Sequence, residues 1–90
     1  MHEASVSENF PEMRRSERPQ RALGEAVRQL RSKRGLTQEG LAREANVTNA
    51  TLSLIERGQA NPTWATLKGI AAALDVSMGE LGKLADKFED

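Results

Sequence analysis

Two short helical patterns lie back to back between Gln38 and Arg57, in the stretch QEGLAREANVTNATLSLIER. They meet at Asn46, a residue type that tolerates the left-handed backbone conformation of a tight turn. Ala42 has almost no side chain, so the second helix can cross the first closely. Helical spacing places one apolar set on a common side, namely Leu41, Ala45, Val47, Leu52 and Ile55. The stretch therefore predicts two helices that share a core.

The second helix of this pair begins near Thr48 with small polar side chains that the shared core does not use. In a helix-turn-helix, the start of the second helix points outward. A helix that enters a DNA major groove must be exposed in this way. The spacing thus predicts an exposed helical surface from Thr48 to Ser53.

Length and composition indicate one all-α domain. The chain has 90 residues, enough for one small domain and too few for two. β-Branched residues never alternate with polar ones over a useful length, so strands are not expected. Residues 1–17 have no apolar period and are rich in Ser, Glu and Arg, which predicts a disordered arm before a domain over residues 18–90.

Several classes of protein are disfavoured by what the sequence lacks. It contains no cysteine, which rules out disulfides and removes the commonest ligands of structural zinc. No apolar run approaches the roughly 20 residues of a membrane span, and the N-terminus lacks the layout of a signal peptide. We expect a cytoplasmic bacterial protein with no membrane association, no metal and no cofactor.

The net charge of zero conceals a segregation of charge along the chain. Residues 1–13 carry three Glu and no base, and residues 75–90 carry five acids against two Lys. Residues 14–74 hold eleven Lys and Arg against five Glu. This distribution suits a domain that meets phosphates with one surface, or it is a solvated surface whose signs happen to segregate.

Four arginines, at positions 14, 15, 18 and 21, close the predicted arm just before the first helix. Two interpretations remain open for them. They lie along a DNA backbone or in a minor groove, as the arms of homeodomains do, or they form a soluble linker.

Capping residues predict the helix boundaries. The first helix should run from near Pro19, a good first-turn residue, to Arg34, and end at Gly35. Thr37 and Thr48 are typical N-caps for the two helices of the central pair. The expected bounds of this pair are 38–45 and 49–56.

Two more helices follow. Thr63 should cap the fourth, whose apolar stripe starts at Trp64, and this predicts Trp64 in the core. Ser77 and Glu80 form a capping box that opens the fifth. The stripe of the fifth helix seals the monomer core, forms a two-fold dimer interface, or does both. Its residues in question are Leu81, Leu84 and Phe88.

The residues LGEAVRQLRSKRGLTQEGLAREANVTNATLSLIERGQANPTWATLKGIAAALDVSMGEL resemble the helix-turn-helix domain of the Xre/Cro family, the fold of phage repressor and Cro proteins. The motifs R-x-x-R-G-L-T-Q-E, I-E-R-G, N-P-T and A-L-D-V-S occur in order. The resemblance implies a compact five-helix repressor-like domain. It also implies a DNA-binding transcriptional regulator, most often a homodimeric repressor on a palindromic operator.

The third helix carries the expected base-reading residues. Asn49 can present a donor and an acceptor together to adenine, and Ala50 can lie against a thymine methyl. Thr51 and Ser53 reach base or backbone according to the tilt of the helix. Leu54 departs from the family pattern, which usually has a polar or basic residue there. It contacts a thymine methyl, packs locally, or marks a site for another protein.

No Arg or Lys lies between Thr48 and Ile55, so the reading helix itself has no basic side chain to contact DNA. Phosphate contacts from other residues must then supply much of the affinity for DNA. The resemblance assigns Gln38 to a phosphate. The hydroxyl and the free backbone N–H groups at Thr48 suit another phosphate. Three residues outside the third helix complete the set of expected phosphate contacts. They are Arg57, Asn61 and Arg43. For the arginines among them, the alternative is a solvated surface charge.

Arg31 and Glu56 are expected to form a partly buried ion pair. The family resemblance pairs them across helices 1 and 3, and helical phase puts both at the edge of the buried stripe. Such a pair orients the reading helix and has no catalytic role.

An enzyme is not expected. The single histidine, His2, lies in the predicted arm, and the sequence has no thiol and no glycine-rich phosphate loop. The leading hypothesis is a sequence-specific regulator that binds double-stranded DNA. The alternative is a protein-interaction module, such as an antitoxin that binds a partner protein, with or without DNA.

Overall fold

The computed structural model describes residues 4–89, with side chains from residue 19 onward. Helices account for most of the described chain. They are α1 (Ala4–Lys33), α2 (Gln38–Ala45), α3 (Asn49–Glu56), α4 (Trp64–Ala73) and α5 (Met78–Lys87). The fold class predicted from the sequence, all-α with five helices, is confirmed for this part of the chain. The predicted arm, residues 1–17, lies outside the residues whose side chains are described.

The bounds of α2 and α3 agree with the prediction. The helix assigned as α1 begins at Ala4 rather than near Pro19, so Pro19 does not stand in a first turn. Glu and Arg, which are common before Pro19, are good helix formers and mark no boundary. At its other end α1 stops at Lys33, one residue before the expected Arg34.

Each of the four later helices starts at the N-cap predicted for it. The side chains of Thr37, Thr48, Thr63 and Ser77 each accept a hydrogen bond from the backbone N–H three residues on. At α5 the carboxylate of Glu80 accepts the backbone N–H of Ser77 in return, at 2.8 Å. Each cap contributes about 1 kcal/mol by satisfying donors that the first turn leaves unpaired.

The turn between α2 and α3 depends on Asn46, which adopts the expected left-handed conformation with φ of 61°. Its backbone N–H donates to the carbonyls of Ala42 and Arg43 and closes α2. A second left-handed residue that the sequence analysis missed, Asp75 with φ of 62°, follows α4. Asp and Asn visit this region more readily than other non-glycine residues.

The core lies where α1 packs against α3 and α5, and where α2 packs against α3 and α4. The largest fully buried side chains are Leu41, Leu52, Ile55, Ile70, Leu81 and Val27. Burying one Leu or Ile side chain of this set stabilises the fold by about 1.5–3 kcal/mol. Among the described residues, no helix is long and apolar enough to cross a membrane.

One expectation about an apolar residue needs correction, and one open alternative is narrowed. Trp64 was predicted in the core, but its side chain is 67% exposed. It is the first residue of α4, and helical side chains lean toward the N-terminus, so its ring projects past the end of the core. Leu81 is 1% exposed and therefore serves the core of the monomer, which was one of the two roles considered for its stripe.

Candidate nucleic-acid interface

Helix α3 is held to the body of the protein along one side only. Leu52, Ile55 and Glu56 are buried on that side. Asn49, on the first turn, is exposed. The first turn of α3 is therefore open to a ligand on the side away from the core.

The five expected base-reading residues divide into two groups. Asn49 and Ala50 are exposed, and Leu54 is 38% exposed. Thr51 and Ser53 are half-buried. Because residues four apart share a face, Ala50 and Leu54 form an apolar strip next to Asn49. At 38% exposure, Leu54 is partly packed and partly accessible.

The hydroxyl of Thr48 is already committed within the helix. Its Oγ1 accepts the backbone N–H of Thr51 at 3.0 Å and donates to the hydroxyl oxygen of Thr51 at 2.9 Å. A hydroxyl has one proton to donate, so the proton left for a phosphate is that of Thr51. The free backbone N–H groups of the first turn, which were expected to serve a phosphate at Thr48, remain available beside the hydroxyl of Thr51.

A three-residue network fixes the orientation of α3 from beneath. Arg31 donates to both carboxylate oxygens of Glu56, from Nε at 2.6 Å and from Nη2 at 3.1 Å. The amide of Gln38 donates to the same carboxylate at 3.0 Å. Arg31 also donates to the carbonyl of Leu36 at 2.8 Å. The network joins α1, the start of α2 and the end of α3 through one buried carboxylate.

Gly24 sets how closely α1 crosses α3. A Cβ built on Gly24 would lie 2.4 Å from the carbonyl oxygen of Ile55 and 2.6 Å from that of Glu56. The two backbones are therefore in direct contact, and only glycine fits. The sequence analysis missed this residue, although a glycine inside the apolar stripe of a helix signals a close backbone approach.

The remaining residues expected to contact phosphates differ in exposure. Arg57 is the C-cap of α3 and is exposed, with Nε donating to the carbonyl of Ser53 at 3.4 Å. Asn61 is exposed in the next loop and shares a surface hollow with Arg57. Arg43 is exposed in the last turn of α2. Gln38 is half-buried on Glu56.

The arrangement matches a known family along most of the chain. Residues 22–84 match the model of the helix-turn-helix domain. The chain belongs to the helix-turn-helix family. The resemblance to Xre/Cro-type proteins drawn from its motifs is thereby confirmed.

Two curated relatives are transcriptional proteins by name. The immunity repressor of Bacillus phage phi105 is 36% identical over 66% of this chain and 41% of the repressor. The uncharacterised helix-turn-helix regulator y4dJ of Sinorhizobium fredii is 42% identical over 66% of this chain and 77% of the relative. The chain thus spans less than half of the length of the phage repressor.

A solved structure shares the fold at greater coverage. The clp gene regulator ClgR from C. glutamicum superposes with a TM-score of 0.78 at 29% sequence identity. The superposition covers 80% of this chain and 92% of that one. The helix arrangement described above is therefore that of a known gene regulator.

Proposed function

We propose that this helix-turn-helix chain is a DNA-binding transcriptional regulator, a repressor, that places α3 in the major groove of double-stranded DNA. The observation that carries the proposal is the exposure of Asn49 and Ala50 on α3. The other face of this helix is held to the core by the ion pair between Glu56 and Arg31. The names of the relatives support regulation rather than catalysis. A cytoplasmic location, where the DNA is, follows from this role.

In the proposed complex, base reading and backbone contact fall to different residues. Asn49 reads adenine through its amide, and Ala50 with Leu54 meets thymine methyl groups. Gln38, Thr51 and the first-turn N–H groups of α3 hold one strand. Arg57, Asn61 and Arg43 extend the phosphate contacts.

We further propose that the regulator binds as a homodimer to a palindromic operator. Leu81 is in the core, so the interface at α5 must use what the fold leaves accessible. Phe88, the C-cap of α5, is 39% exposed, and Leu84 is half-buried. A dimer with two-fold symmetry matches a palindromic operator when its two α3 helices lie about one helical turn of DNA apart.

Two substitutions on α3 should affect DNA binding in different ways. Asn49→Ala should remove roughly 1–3 kcal/mol of discrimination at one base pair and leave the salt dependence unchanged. Arg57→Ala should weaken binding to all sequences alike and lower the slope of log K against log salt by about 1. Fluorescence anisotropy on matched and mismatched duplexes over a salt series separates the two. Equal effects of Asn49→Ala on every duplex would show that Asn49 does not read a base.

A protein partner is the second candidate function, favoured by the exposure of Leu54 and Trp64. Large apolar side chains outside a core often mark contact surfaces. The two functions differ in their response to salt, because contacts to phosphates release counterions. Binding to duplexes that is absent, or that does not weaken as salt rises, would favour the protein partner.

A further inference from the structure

We propose that the apolar strip on α3, formed by Ala50 and Leu54, binds the C5-methyl group of a pyrimidine in duplex DNA and accepts 5-methylcytosine as well as thymine. The inference rests on the proposed DNA-binding function and deepens it by naming a chemical group that α3 recognises. Its consequence is that methylation of a cytosine at the position facing the strip strengthens binding of this chain.

The strip lies near the centre of the face of α3 that points away from the core. Successive residues of an α-helix are turned by about 100°, and Leu52, Ile55 and Glu56 define the buried side of α3. Ala50 and Leu54 project from the opposite side, within about 30° of its middle. Both residues are exposed. A groove that receives α3 on this face therefore meets two apolar side chains.

Polar side chains border the strip on both sides. By the same angular spacing, Asn49 and Ser53 lie on one side of it and Thr51 lies on the other. Thr51 is half-buried, and its hydroxyl oxygen accepts a hydrogen bond from Thr48 at 2.9 Å. The strip itself is two side chains long, far smaller than the roughly 800 Å² that each partner buries in a stable protein interface. Its size matches one or two methyl groups.

The length of the strip suits neighbouring base pairs. Four residues of α-helix rise by about 6 Å, and successive base pairs are about 3.4 Å apart. Ala50 and Leu54 therefore span about two base-pair steps of a groove that runs along α3. One pyrimidine methyl can face each of them.

The chemistry of the strip cannot distinguish the two methylated pyrimidines. Beside the methyl group, thymine presents an O4 acceptor in the major groove, where cytosine presents an N4 donor. The side chains of Ala50 and Leu54 contain neither a donor nor an acceptor, so they read neither group. They contact only the methyl at C5, which 5-methylcytosine carries at the same position as thymine.

An unmethylated C·G pair offers α3 little at this position. The strip meets no methyl group there, and no Arg or Lys lies between Thr48 and Ile55 that would read the guanine instead. Methylation of the cytosine supplies the missing apolar contact. Removing one methyl group from water strengthens binding by about 4-fold.

The test uses a duplex that the unmodified chain binds and changes one base at a time. Replacing each thymine in turn with uracil, which lacks only the methyl group, locates the pair that faces the strip. At that position, T·A is compared with U·A, and 5-methylcytosine·G is compared with C·G, by fluorescence anisotropy. The methylated member of each pair should bind about 4-fold more tightly. Both ratios should be independent of salt, because a methyl group carries no charge.

Two substitutions show whether the strip causes these ratios. Leu54→Ala should bring both ratios close to unity at the position that Leu54 contacts, and Leu54→Asn should do the same with a side chain of similar size. Trp64→Ala is the matched control, because it also shortens an exposed apolar side chain, 67% exposed, but on α4. It should leave both ratios unchanged. Thermal melts establish that each variant is folded.

The possible failures are distinguishable. If the unmodified chain binds DNA but tolerates uracil at every thymine, the strip reads no methyl group and the proposed function stands. If T·A binds better than U·A while 5-methylcytosine·G binds no better than C·G, recognition of methylated cytosine is wrong. If both ratios persist in the folded Leu54 variants, another part of the chain reads the methyl group. If the unmodified chain binds no duplex, the proposed function itself fails.

Discussion

Gly24→Ala is expected to lower the free energy of unfolding by more than half. The added methyl would lie 2.4 Å and 2.6 Å from two backbone carbonyl oxygens of α3, so α1 and α3 must separate. Overpacking of a rigid site costs about 1–3 kcal/mol or more, out of the roughly 5 kcal/mol that a domain of this size has. We expect a loss of about 3 kcal/mol or more, seen as a fall of more than about 12 °C in Tm by circular dichroism.

Gly82→Ala is the matched control for this substitution. Gly82 also lies inside a helix, but a Cβ there would meet nothing within 4 Å. The gain in helix propensity should raise stability by about 0.5–1 kcal/mol. Opposite signs for the two variants would show that the contact between α1 and α3 decides the effect. A Gly24→Ala protein as stable as Gly82→Ala would show that this close crossing is wrong.

Glu56→Ala should give the second large effect, a loss of about 3–5 kcal/mol in the free energy of unfolding. The carboxylate of Glu56 holds both Arg31 and Gln38, and its side chain is only 2% exposed against 16% for Arg31. Removing it leaves the Arg31 guanidinium partly buried without its counter-charge. Urea unfolding followed by circular dichroism measures the loss.

Glu25→Ala provides the comparison for an exposed carboxylate. Glu25 lies 3.7 Å from Arg28, and both side chains are at least half exposed. Solvent-exposed pairs contribute about 0–1 kcal/mol, so this variant should melt nearly as the unmodified protein does. If Glu56→Ala costs no more than Glu25→Ala, the network beneath α3 does not stabilise the fold.

The double replacement of Arg31 and Glu56 by apolar residues provides a further check. Taking away both charges removes the desolvation cost together with the attraction. The double variant should therefore recover part of the stability that Glu56→Ala loses. The DNA affinity of the double variant should be lower than that of the unmodified protein, because Gln38 has lost the carboxylate that fixes its amide.

Local signals in the sequence predicted the helix-turn-helix well. Thr37, Thr48 and Asn46 act through hydrogen bonds or backbone preferences within a few residues, so their effect does not depend on the rest of the fold. The apolar spacing from Leu41 to Ile55 likewise predicted the face that α2 and α3 bury together. These residues position α3, and the candidate interface was predictable to that extent.

The features that the sequence did not predict depend on distant parts of the chain. The exposure of Trp64 depends on where the core ends relative to the first turn of α4. The importance of Gly24 depends on the carbonyls of residues about thirty positions away. Spacing along one helix contains none of this information.

Selection of bound duplexes from a random pool tests most directly whether the exposed face of α3 reads DNA. The unmodified chain should enrich a short inverted repeat with half-sites about one helical turn apart. Each half-site should contain an adenine whose enrichment disappears when Asn49→Ala is used for the selection. A pool that stays random at low salt, or a consensus that the Asn49→Ala chain selects unchanged, would contradict the account.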